Sequence, residues 1–89
     1  MNSRRELEQG RAACLVCGNL TLSKRGAFEI CPVCFWEDEG AIDDPDEPSD
    51  GPNGNLSLSE ARRNYREFGA VASEFADKAR QPRLEERPD

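Results

Sequence analysis

Histidine is absent from the 89-residue sequence. Its absence removes the usual base that activates a serine or cysteine nucleophile, and with it the Ser-His-Asp and Cys-His mechanisms. Long apolar runs are missing as well. No stretch approaches the roughly 20 residues that a membrane-spanning helix requires. The first residues carry arginines without the apolar segment of a secretory signal. Together these features predict a cytoplasmic protein with no membrane contact. Apolar residues are scarce, at 36% against 34% charged, with a single Trp and a single Tyr. So short a chain buries a modest share of its surface, so its core needs a cross-link. An excess of positive charge is lacking too: the net charge is −6, and the totals show no basic stripe of the kind that binds nucleic acid.

What the sequence does have is four cysteines in two pairs, Cys14-x-x-Cys17 and Cys31-x-x-Cys34, with thirteen residues between the pairs. In a reducing compartment such pairs serve as metal ligands or catalytic groups more often than as disulfides. A thioredoxin-like couple needs one pair at a helix N-terminus after a strand, and no βαβ pattern surrounds either pair. A cysteine nucleophile lacks its histidine. Two such pairs joined by a hairpin instead turn four sulfurs toward one point, the tetrahedral arrangement that suits Zn2+ or, as the alternative, a single iron. Cys14, Cys17, Cys31 and Cys34 are therefore the predicted metal ligands. Four protein ligands leave no open position, so the site is structural, with a binding energy of roughly 10–16 kcal/mol that is folding energy.

The rest of the chain divides around that clamp. Residues 1–12 are a polar segment with a short helical start. Residues 13–36 form the ribbon, in which "NLTL" and "AFEI" pair as a β-hairpin across "SKRG", with Gly26 at a positive φ. Leu20, Leu22, Phe28 and Ile30 supply its apolar face. Residues 37–55 are an acidic loop rich in Pro and Gly, with "PNG" as a tight turn. The helical region is 56–80. Ser57-x-x-Glu60 is a capping box, and Leu58, Ala61, Tyr65, Phe68, Ala72, Phe75 and Ala79 recur at steps of three and four on one stripe. Gly69 suits a C-terminal cap, so the first helix ends there and a second starts near Ser73. Residues 81–89 are a tail. The predicted class is a small α+β, metal-stabilised fold: a zinc-ribbon-like β-hairpin with two cysteine knuckles and one or two C-terminal helices.

Residues 37–50 carry eight acids and no base, while the remainder is close to neutral. The run reads either as a solvated loop or as a docking surface for a basic partner. Its candidate contact residues are Asp43, Asp44, Asp46 and Glu47. Trp36, directly after the last cysteine with Phe35, packs against Tyr65 and Phe68 or is exposed as a partner's anchor. Calcium is a poor match, since the EF-hand spacing is not met and prolines interrupt the aspartates.

The stretches "CLVCGNLTL", "GAFEICPVCFWEDEG" and "GPNGNLSLSEARRNYREFGA" together resemble the bacterial cysteine-rich CPCC family of small zinc-ribbon-like proteins. The resemblance runs from about Cys14 to Ala70. The family's first knuckle is Cys-Pro-Cys-Cys; here Leu15 stands for the proline and Val16 for the middle cysteine, while Cys14 and Cys17 keep the outer pair. The resemblance implies a metal held by both pairs. Because members of the family are met near bacterial toxin genes, it also implies an immunity-type role. An acidic, compact protein suits the capping of a basic toxin surface, with charge steering raising the association rate.

These readings converge on a non-enzymatic structural-zinc module that binds a protein partner. No nucleophile–base pair, open metal site or phosphate loop is present. The alternative is a nucleic-acid-binding ribbon using Lys24, Arg25, Arg62, Arg63 and Arg66, although Glu60 and Glu67 interrupt the helix arginines as a solvated face would.

Overall fold

A computed structural model describes residues 11–49 and 51–88. The helical start expected within residues 1–12 lies outside the described residues except at its end, where Ala12 is already in a strand. The elements are β1 (Ala12–Ala13), β2 (Leu20–Leu22), α1 (Leu58–Phe68) and two single 3-10 turns at Ser73–Phe75 and Leu84–Glu86. The fold is thus small and α+β. No helix among the described residues is long and apolar enough to cross a membrane.

The strand pairing differs from the predicted hairpin. β1 pairs with β2 antiparallel, Ala12 opposite Leu22 and Ala13 opposite Leu20, with an irregularity in β1. An isolated antiparallel bridge joins Ile30 to Glu37. Each pairing brackets one cysteine pair, so the chain reverses at the knuckles and not at "SKRG". The cause is local: the tight knuckle turn already brings its two flanks side by side. Phe28, at φ 60, cannot continue a strand from the loop. That loop is closed by side chains. Ser23 N donates to Glu29 Oε1 at 2.9 Å, Arg25 Nη1 to Asp38 Oδ1 at 2.7 Å, and Gly26 N to Asp38 Oδ2 at 2.5 Å. Asp38 is fully buried, so one of the acids in the supposed loop is a paired core residue.

The core is correspondingly different from the expected one. Leu20 and Leu22 are buried, whereas Phe28 and Ile30 are 56% and 54% exposed, because their segment pairs toward residues 37–38 and turns those side chains outward. Trp36 is fully buried among Val33, Leu58, Ala61 and Val71. It is a core residue, and the exposed-anchor reading is corrected. Its Nε1 finds no acceptor among the described residues.

The helix starts where the capping box predicts. Glu60 N donates to Ser57 Oγ, and Ser57 N to Glu60 Oε1, both at 3.0 Å. It stops at Gly69, whose φ of 80 is left-handed, a conformation glycine adopts without a Cβ clash. That stop cuts the apolar stripe short. Leu58 and Ala61 are buried, Tyr65 is half-buried, and Phe68 is 41% exposed. Ala70 and Val71, just past the cap, turn inward and fill the core instead. The helical region is tied to both knuckles: Arg62 Nε donates to Leu15 O, and Val71 N to Cys34 O, each at 2.9 Å.

The predicted tail folds back through residue 86. Leu84–Glu86 lies against β2, and Glu86 is 5% exposed. Its carboxylate accepts from Arg80 Nη1 and Nη2 at 2.9 and 2.8 Å and from Arg83 N at 2.8 Å. The Arg80 guanidinium holds the Glu86 carboxyl below its ordinary value.

Candidate metal centre

The two knuckles are built on the same backbone pattern. In the first, Cys14 N donates to Asn19 O at 2.9 Å and Gly18 N to Cys14 O at 2.8 Å. In the second, Cys31 N donates to Trp36 O at 2.9 Å and Phe35 N to Cys31 O at 2.8 Å. Each pair of bonds closes a tight turn that aims both of its sulfurs inward. The residue after each second cysteine takes a positive φ, 79 at Gly18 and 74 at Phe35.

The turns bring all four predicted ligands together. The Sγ atoms of Cys14, Cys17, Cys31 and Cys34 lie within 4.8 Å of one another. Cys14 and Cys34 are 3.5 Å apart, Cys17 and Cys31 3.8 Å. A tetrahedron with Zn–S bonds of about 2.3 Å has S···S edges of about 3.8 Å, so the donor set fits a four-coordinate ion. Disulfides are excluded on distance, and all four cysteines are free. Cys14, Cys31 and Cys34 are buried, and Cys17 is partly exposed.

Four sulfurs so close cannot all carry charge without a cation. Hydrogen bonds from the other thiols, first that of Cys14, pull Cys31 well below its ordinary pKa. Thr21 Oγ1 adds a bond to Cys31 Sγ at 3.1 Å. Cys17 is lowered as well, again chiefly by Cys14. Cys14 is pushed up by its bond to Cys17, and Cys34 by its bond to Cys14. The four thiols therefore share protons among themselves and titrate as one coupled group. A dication is the charge that lets all four become thiolates. Held here it would supply cross-linking, since four protein sulfurs leave no position for water or substrate. Burial pushes the nearby Tyr65 phenol up, with the charge of Cys17 adding to it.

The acidic candidates sit elsewhere. Asp43, Asp44, Asp46 and Glu47 are all exposed. Asp44 Oδ1 accepts from Asp46 N at 3.0 Å, and Asp46 Oδ1 from Ser59 Oγ at 2.6 Å. Among the described residues the four thiols are the group that could hold an ion, and the aspartates do not converge on one. Of the basic residues weighed for nucleic acid, Arg25 is engaged with Asp38 and Arg62 with Leu15 O.

Several positioning residues escaped the sequence reading. Asn53 Oδ1 accepts from Glu37 N at 2.9 Å, and its Nδ2 donates to Glu37 O at 2.8 Å. The "PNG" turn is therefore a clip on the strand leaving the second knuckle. Thr21 and Asp38 are the others. Asn53 alone had a local signal, an amide able to pair with an extended backbone on both sides.

The family model described as Cysteine-rich CPCC matches residues 12–86. The match extends past the resembling stretch and takes in the folded-back segment. No curated protein matches the chain.

Proposed function

We propose that this chain, which belongs to the cysteine-rich CPCC family, is a non-enzymatic protein-interaction module built on a structural Zn2+ in a zinc-ribbon-like arrangement. The closed, largely buried set of four sulfurs supports this reading best. Its geometry suits cross-linking and offers no coordination position for chemistry. The knuckles, the helical region and the core all meet at that cluster, so an ion there organises a small fold that its apolar core alone would hold weakly. Native mass spectrometry of gently purified protein tests it, with one zinc per chain as the expected result. Protein without an ion, or with its sulfurs paired covalently, would overturn the proposal.

The partner in this reading is a basic protein, and the family resemblance makes a bacterial toxin the leading candidate, with the chain in an immunity role. Support comes from the exposed carboxylates Asp43, Asp44, Asp46 and Glu47, which give the loop a negative field suited to steering a basic surface. Replacing these four with Asn or Gln should weaken binding to a co-purified partner and flatten its salt dependence. Unchanged affinity and salt response would remove the loop from the docking site while leaving the metal scaffold intact.

A further inference from the structure

Beside the second knuckle lies a cleft of about 510 Å³, within the roughly 300–1,000 Å³ of a site able to seat a side chain or small ligand. Ile30, Phe35, Val71 and Phe75 line it. Phe35 stacks on Phe75 with ring centroids 5.5 Å apart and planes at 16°. Ile30 stands 54% exposed there, an apolar side chain that folding has left in water. The backbone points to the same place. Phe35 holds φ at 74 where the matching position of the first knuckle has Gly18. A bulky residue in that conformation persists only where its surroundings enforce it, and such positions gather at binding sites. Here the constraint presents an aromatic ring to the cleft.

Charge says what the cleft takes. Among the described residues its charged lining is Glu37 and Glu74, both acids. Among the described residues the ion pairs are Arg25–Asp38 and Arg80–Glu86, so neither carboxylate pairs with a cation of that part of the chain. We infer that this cleft seats an apolar or aromatic side chain of a protein partner, flanked by Lys or Arg residues that meet Glu37 and Glu74. The inference rests on the binding-module reading but not on the acidic loop, since none of Asp43, Asp44, Asp46 and Glu47 lines the cleft.

The test is a 1H–15N NMR titration of the zinc-loaded full chain with N-acetyl-Lys-Phe-Lys-amide, and with N-acetyl-Glu-Phe-Glu-amide as the charge-reversed control. The basic peptide should shift the amides of Ile30, Phe35, Val71 and Phe75 saturably, and the acidic one should leave them in place. Glu74→Gln, at an exposed position, should weaken the basic peptide roughly threefold, the scale of one exposed charge pair. Ile30→Ser should weaken both the shifts and the affinity. Dispersed spectra and full zinc content verify that each variant is folded. Equal response to the two peptides, shifts mapping to residues 43–47, or no saturable change at the cleft would each overturn the inference. If the four loop substitutions abolish partner binding while the cleft variants leave it unchanged, the module reading survives and this one fails.

Discussion

The two knuckles share one hydrogen-bonding scheme but differ in what stands around it. The first has Gly18 at its left-handed position and keeps Cys17 partly exposed. The second has Phe35 there, with both ligands buried and Trp36 fully buried directly after it. The first is therefore a turn of low strain with an open side, and the second a strained turn built into the core. The same four-residue frame turns two sulfurs toward the candidate metal centre in both, and the residue that follows decides whether the outside of the turn is bare backbone or an aromatic surface.

The largest effect should come from breaking the clamp, and it should be unequal between the knuckles. With the proposed ion bound, a chelator should withdraw on the order of 10 kcal/mol of folding energy, and the far-UV circular dichroism of the fold should collapse. Cys34→Ser should be as severe, because it leaves a buried hydroxyl beside three sulfurs and a core that meets there. Cys17→Ser should retain more structure and more zinc, since water reaches that corner. Equal losses in the two variants would mean that burial does not distinguish the knuckles. Acid acts in the same direction as chelation. Ligation requires thiolates, and the neighbouring thiols push Cys14 and Cys34 above their ordinary values, so loading expels protons. Apparent zinc affinity should rise with pH and fall on acidification, which a titration against a chromophoric chelator at several pH values would follow.

How much of this was legible in the sequence depended on how local the signal was. Each Cys-x-x-Cys knuckle, the Ser57–Glu60 cap and the stop at Gly69 depend on residues a few positions apart, and the structure has them where the spacing put them. The meeting of the two knuckles was legible because the cysteine pattern repeats, not because it is local. The pairing of strands did not have that advantage. "NLTL" and "AFEI" are both β-prone, and nothing in either run says whether it pairs with the other or with the flank beyond its own knuckle. In the sequence Asp38 stands as one acid among eight, because its partner Arg25 lies thirteen residues earlier and only the folded loop brings them together. Glu86 looks like part of a tail for the same reason: its burial depends on Arg80 and on β2, across a proline that reads as a terminator.

A middle-sized effect separates backbone strain from side-chain contact at the matched positions. A Cβ at Gly18 meets nothing within 4 Å, but the φ of 79 disfavours it. Gly18→Ala should then lower the stability of the zinc-loaded protein by about 1 kcal/mol. At Phe35 the two contributions oppose one another. Phe35→Gly relaxes a backbone strain of roughly 1–3 kcal/mol while losing a ring stack of about 0.5–1.5 kcal/mol and its burial. Phe35→Ala loses the ring and keeps the strain. Urea unfolding should therefore rank Phe35→Gly above Phe35→Ala in stability, an inversion of the usual order at an extended or helical site. The usual order at Phe35 would mean that its positive φ carries no strain.

The smallest expected effect concerns the open side of the first knuckle. Cys17, Tyr65 and Pro82 line one shallow hollow, so the folded-back segment borders the open side of this thiol. That segment is pinned by Glu86. Its carboxyl is lowered in the fold chiefly by Arg80, so the stabilisation is present above the unfolded value of about 4.3 and is lost as pH falls through the folded value. Arg80 is partly exposed, with 33% of its side chain in water, and solvent screening reduces the pair's contribution. Glu86→Gln should accordingly cost under about 1 kcal/mol of global stability near neutral pH, a difference that vanishes in acid. Its local consequence should be easier to see. With the pin weakened, the amides of Leu84–Glu86 should exchange faster and a chelator should extract zinc faster, while Cys31 and Cys34, buried at the far knuckle, keep their protection. Unchanged extraction alongside faster amide exchange would show that the segment borders Cys17 without controlling access to it.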